Sequence, residues 1–179
     1  RTHTRTAGVR PAPSAQAARA CRAHTPRAAG NGIGTEGAKE LAAALKGNAI
    51  LTYLDLNGNE IGAEGAKELV AALMGNTTLT WLWFNNNNIG DKGAKELAAA
   101  LKANASLTTL DLTDNAIGDE GAQELAAALE ANTTITTLDL NRNKVNDQAA
   151  LATIQSRLKA NDRLVWDGWS ENSFIAHTR

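Results

Sequence analysis

Apolar residues in this chain follow two spacings that take turns. Leu54 and Leu56 alternate with polar neighbours after Leu51, which is strand spacing. Ala66, Leu69, Val70 and Leu73 then recur at i, i+3, i+4 and i+7, which is one stripe of a helix. The pair returns 28 residues later as Leu79, Leu82 and Phe84 followed by Ala94, Leu97, Ala98 and Leu101. It returns again as Leu107, Leu110 and Leu112 followed by Ala122, Leu125, Ala126 and Leu129, and Ile135, Leu138 and Leu140 open a fourth copy. Self-similarity at one fixed period predicts a solenoid, in which each strand–helix unit buries its apolar face only against its neighbours.

The polar positions repeat as well. Asn59, Asn87, Asn115 and Asn143 follow the strands. An amide both donates and accepts, so a stack of them is expected to satisfy loop backbone groups that neither strand nor helix pairs. Thr35, Asp91, Asp119 and Asp147 stand where a helix N-cap belongs, and Ala63 departs from that row. Gly37, Gly65, Gly93 and Gly121 recur on the helices, where glycine costs stability, so close packing is the expected reason. Asn48, Asn76, Asn104 and Asn132 follow the helices, in the place of a left-handed cap. Parallel strands stack about 4.8 Å apart and helices are about 10 Å wide, so the array should bend with its strands inside.

The skeleton Leu-x-x-Leu-x-Leu-x-x-Asn-x-Ile, then a Gly-Ala helical half ending in Leu-x-x-x-Leu and Asn, resembles the leucine-rich repeats of the ribonuclease-inhibitor type. That family also includes the repeat arrays of NOD-like receptors and of the Ran GTPase-activating protein. The resemblance covers residues 31–162. It implies an α/β leucine-rich-repeat solenoid: a short right-handed horseshoe arc with parallel strands on the concave face and helices on the convex face. It also implies a non-catalytic protein-binding role. Two alternatives come with it, a regulatory fragment of a larger NOD-like or GTPase-containing protein and a GTPase activator.

The array is expected as a half repeat over 31–50 and repeats starting at 51, 79, 107 and 135. In the fourth, Ile154 and Leu158 fall 29 residues after Leu125 and Leu129, which signals one inserted residue. Leu164, Val165, Trp166, Trp169, Phe174 and Ile175 are apolar enough to cover the last repeat, so 163–179 reads as a cap and tail. Residues 1–30 read as a disordered arm: they hold Pro11, Pro13 and Pro26, six Arg and no acid. Pro26 falls on a leucine position, which leaves the first repeat half formed. The opening on Arg1 favours a piece of a longer protein, and the Arg-rich, acid-poor arm is also what a transit peptide looks like. The expected location is cytoplasmic, with organelle targeting through the arm as the alternative.

Charge changes the picture by its distribution. The 18 Lys and Arg less the six of the arm leave 12 against all 19 acids, a net of −7 on the solenoid. Such a surface repels phosphate, so nucleic acid is not the expected partner. No apolar run is long enough to span a membrane. Cys21 is the only cysteine, which excludes an intrachain disulfide. Asn76, Asn104 and Asn132 each begin an Asn-x-Ser/Thr sequon, but all three share one repeat position, which favours a structural role.

No catalytic, metal or cofactor set emerges: His3, His24 and His177 lie in the tails and no nucleophile or phosphate-loop motif is present. The candidate site is the strand face between the buried leucines. Its rows are Tyr53, Trp81, Thr109, Thr137 and Asp55, Trp83, Asp111, Asp139, which in-register stacking should align. Tyr53, Trp81 and Trp83 are expected to form one exposed aromatic patch, the kind of anchor that dominates interfaces. The acids, with Asp114, suit a basic protein partner, and Arg142 is the single cation at the rim beside Thr113 and Asn141.

Overall fold

A computed structural model describes residues 30–163. The basic arm, the expected C-terminal cap, Cys21 and all three histidines lie outside the described residues. The elements are α1 (Gly34–Lys46), β1 (Tyr53–Asp55), α2 (Gly62–Leu73), β2 (Trp81–Trp83), α3 (Gly90–Ala103), β3 (Thr109–Asp111), α4 (Asp119–Ala131), β4 (Thr137–Asp139) and α5 (Gln148–Arg163). The strands form one parallel sheet in chain order, each residue facing its counterpart 28 positions on. This is the α/β solenoid that the alternating spacings predict.

The core lies between sheet and helices. Leu54, Leu56, Leu82, Phe84, Leu110 and Leu112 are buried from the strand side, with Ala66, Leu69, Ala94, Leu97, Ala122 and Leu125 from the helix side. Leu51 and Leu140, towards the two ends of the described array, are only partly buried. Ile154 and Leu158 are buried, so the inserted residue in the fourth repeat keeps the apolar face inward.

The strands are three residues long, and threonines extend the pairing ahead of them. Thr80, Thr108 and Thr136 each donate a hydroxyl to the threonine carbonyl one repeat earlier, Thr80 Oγ1 to Thr52 O at 2.8 Å. The backbone N–H groups of Thr80 and Trp81 share that same carbonyl.

The first asparagine row forms the expected ladder. Asn87 Oδ1 accepts the N–H of Asn59 at 3.1 Å, Asn115 Oδ1 that of Asn87 at 2.9 Å, and Asn143 Oδ1 that of Asn115 at 3.0 Å. Each amide nitrogen donates to strand-end carbonyls, as Asn87 does to Leu56 O and Phe84 O. Asn59, Asn87 and Asn115 are fully buried, so no bulk water replaces these bonds.

The second row works differently from the expectation. Asn104 (φ −81°, ψ 128°) and Asn132 (φ −84°, ψ 125°) are extended, not left-handed. Their side chains do the capping. Asn104 Oδ1 accepts from Ser106 N and Leu107 N, and its Nδ2 donates back to Leu73 O and Asn76 O of the preceding repeat. Asn76 and Asn132 do the same, and Asn161 donates to Asn132 O and Ile135 O. The three sequon nitrogens are thus buried and bonded in the fold. Left-handed backbone occurs instead in the turn after each described strand, at Gly58, Asn86, Asp114 and Arg142.

The N-cap row also needs correction. Thr35 and Asp91 lie inside the first turns of α1 and α3, and Asp119 is the first residue of α4. Each carboxylate reaches the next repeat rather than its own helix: Asp91 Oδ1 accepts Gly118 N at 2.7 Å and Gly121 N at 3.0 Å, and Asp119 Oδ1 accepts Asn146 N and Asp147 N. Thr35 likewise turns outward to Ile61 O of the next repeat. Only Asp147 caps its own helix, through Ala149 N and Ala150 N.

Candidate functional site

The sheet face is set by the two aligned rows. Strand alternation turns Leu54, Leu82, Leu110 and Leu138 to the core and the residues on either side of them to the other face. Tyr53 stands beside Trp81, and Thr109 and Thr137 complete its row. Asp55 stands beside Trp83, and Asp111 and Asp139 complete the second row.

The three rings do meet, but not as one exposed patch. Tyr53 lies 6.1 Å from Trp81 (centroid to centroid, planes at 44°) and 5.3 Å from Trp83, edge-on at 65°. Tyr53 is 5% exposed and Asp55 2% exposed, so neither is open to a partner. Trp81 and Trp83 are half-buried. The accessible patch is therefore the two tryptophans, with the buried Tyr53 ring packed beside them. Edge-on and tilted rings at this separation attract by about 0.5–1.5 kcal/mol beyond their burial.

The acids are held by their own turns. Asp111 Oδ1 accepts Thr113 N at 2.9 Å, Asp139 Oδ1 accepts Asn141 N at 2.9 Å, and Asp55 Oδ1 accepts Asn57 N at 3.2 Å. Each carboxylate thus has one oxygen fixed by a local N–H. Trp83 breaks this row, and the orphaned N–H of Asn85 is taken instead by Asn57 Oδ1 of the preceding repeat at 3.0 Å. That substitution has a cost: the buried Asn85 Oδ1 finds no donor among the described residues.

Burial pushes the Asp111 carboxyl above the usual carboxylate range; the Thr113 hydrogen bonds pull it down, and Asp139 and Asp55 add a smaller upward push. A raised folded pKa means that the folded protein holds this proton at pH values where the unfolded chain has lost it. The contribution to stability is present below the unfolded pKa and is lost as pH rises through the folded one. Asp111→Asn keeps an acceptor for Thr113 N and removes the charge. We expect a small rise in melting temperature at neutral pH that disappears on acidification; a fall at neutral pH would contradict this.

Thr109 is half-buried and Thr137 exposed. Asp114 and Arg142 are exposed residues of the post-strand turns with left-handed backbone, φ 56° and 58°, at the rim rather than on the strand face. Asn57 and Asn85, which sequence reasoning missed, join Thr113 and Asn141 in that rim. Their signal was the polar row two positions past each Asp55-type residue. Among the described residues no group of His, Cys, Asp and Glu is arranged to hold a metal, and no helix is long and apolar enough to cross a membrane.

The model of the leucine-rich repeat matches residues 29–42, 47–70, 75–98, 103–126 and 131–152, together more than half of the chain. The chain belongs to the leucine-rich repeat family. No curated protein sequence matches it. Among solved structures, this leucine-rich repeat chain is similar to the leiomodin-1 actin-binding site 2 structure, with a TM-score of 0.71 and 23% identity over 86% of this chain and 92% of that one. It is also similar to the tropomodulin C-terminal domain of Caenorhabditis elegans, with a TM-score of 0.51 and 14% identity over 72% of this chain and 95% of that one. At these identities the likeness is one of fold.

Proposed function

We propose that this chain is a non-catalytic protein-interaction module that binds its partner on the sheet face, around Trp81 and Trp83. The carrying observation is the pair of half-buried indoles on one strand, braced by the buried Tyr53 ring of the neighbouring strand. Side chains held in place before binding lose little freedom on binding, and that is where affinity is gained. Asp111 and Asp139 give the same face its charge, so the partner segment that meets it is basic. The 28-residue period with one full helix per repeat supports the ribonuclease-inhibitor subtype. The likeness in fold to the actin-binding site 2 of leiomodin-1 supports a protein partner and makes actin the first candidate.

The test is binding by wild type against Trp81→Ala with Trp83→Ala, in actin co-sedimentation and in pull-down from source lysate, after matching melting curves. Hot-spot aromatics lose about 2 kcal/mol or more each on truncation, and every 1.4 kcal/mol is about tenfold. A partner bound by wild type should therefore drop out of the double mutant. Unchanged binding would move the site off this face.

A further inference from the structure

The sequence contains two Asn-Gly pairs, Asn31–Gly32 and Asn57–Gly58. Such pairs are chemically labile because glycine has no Cβ to obstruct attack by its own nitrogen on the preceding side-chain amide. The fold treats the two differently. Asn57 is half-buried, its Oδ1 accepts Asn85 N at 3.0 Å, and Gly58 N donates to Asn85 O at 3.0 Å. Both the electrophile and the nucleophile of that pair are engaged with the neighbouring repeat. Asn31 and Gly32 are both exposed. Among the described residues neither Gly32 N nor the Asn31 side chain has a hydrogen-bond partner, and nothing lies within 4 Å of the position a Gly32 Cβ would take.

We infer that Asn31 is a site of spontaneous deamidation and that the solenoid protects Asn57 from the same reaction. The deprotonated nitrogen of Gly32 forms a bond to Asn31 Cγ, the Cγ–Nδ2 bond breaks, and the amide nitrogen leaves as ammonia with the proton it gains. Water then opens the five-membered imide at one of its two carbonyls and gives aspartate or isoaspartate. The consequence is local and structural. Asn31 N and Ile33 N both donate to Asn59 Oδ1, at 3.0 and 3.4 Å, and form the first rung of the amide ladder. Isoaspartate lengthens the backbone between those two anchors by one atom, so the rung cannot keep both bonds at these lengths. The site is therefore a slow chemical clock on the first half repeat.

Trypsin separates the two pairs, since it cuts after Arg27, Lys39, Lys46 and Lys67. The full chain is incubated at mildly alkaline pH, folded or in concentrated urea, and amide-to-acid conversion is followed by mass in the 28–39 and 47–67 peptides. In the folded protein Asn31 should convert at least about tenfold faster than Asn57, the ratio that 1.4 kcal/mol of opening free energy produces. In urea the two should converge. Equal rates in the folded chain overturn the inference. So does an Asn31 that stays intact in the folded chain while it converts in urea.

Discussion

Asn87→Ala should destabilise this protein by about 4 kcal/mol, more than a typical core truncation of one or two methylenes. The side chain has no exposed surface. Its oxygen accepts Asn59 N at 3.1 Å and Ile61 N at 3.5 Å, and its nitrogen donates to Leu56 O, Phe84 O and Asn85 O. The carbonyls are not the main loss. Leu56 O also accepts from Asn59 Nδ2, Phe84 O from Asn115 Nδ2 and Asn85 O from Gly58 N. Asn59 N and Ile61 N would lose the acceptor that this side chain gives them, and a buried donor left unsatisfied costs about 1–3 kcal/mol. Asn87→Asp should be no rescue, because its second oxygen would face three carbonyl oxygens. Asn143→Ala, at a half-buried rung, should cost about half as much, since water can reach the freed groups. Denaturant melts of the three variants check this; a loss under about 1 kcal/mol for Asn87→Ala would sink the ladder as a stabilising device.

The ladder was legible in the sequence because an amide row at a fixed period admits few physical explanations, and the same holds for the strand and helix faces. What escaped was every contact that depends on the offset between one repeat and the next. Asp91 sits where a cap belongs, yet its own helix starts one residue earlier, at Gly90. The carboxylate is then free to serve the helix that stacks on it. Asn104 was expected to cap through backbone handedness, but its side chain spans two repeats and requires extended backbone to do so. Tyr53 occupies the same register position as the exposed Thr137, and its burial comes from its surroundings rather than its place in the repeat. A repeat pattern specifies which face a residue takes, not how deeply that face is covered.

Gly121→Ala should cost about 2–4 kcal/mol, although alanine is intrinsically the better helix former by about 1 kcal/mol. A Cβ at Gly121 would stand 2.7 Å from Asp91 Oδ1, 2.8 Å from Ile117 Cγ2 and 2.9 Å from Ala94 Cβ. The Ile117 methyl can rotate, but Ala94 Cβ is fixed to α3 and has nowhere to go. The Asp91 carboxylate would have to move, and it is the group that accepts Gly118 N and Gly121 N at the start of α4. One methyl thus both overpacks a helix–helix contact and releases two capped N–H groups. The two effects separate in a double-mutant cycle. Asp91→Ala alone should cost about 1–2 kcal/mol, the value of a lost cap. In that background Gly121→Ala should cost less than in wild type, because the carboxylate it collides with and the bonds it breaks are already gone. Strict additivity would mean that the glycine is needed for the Ala94 contact alone and that the cross-repeat cap contributes nothing to its selection.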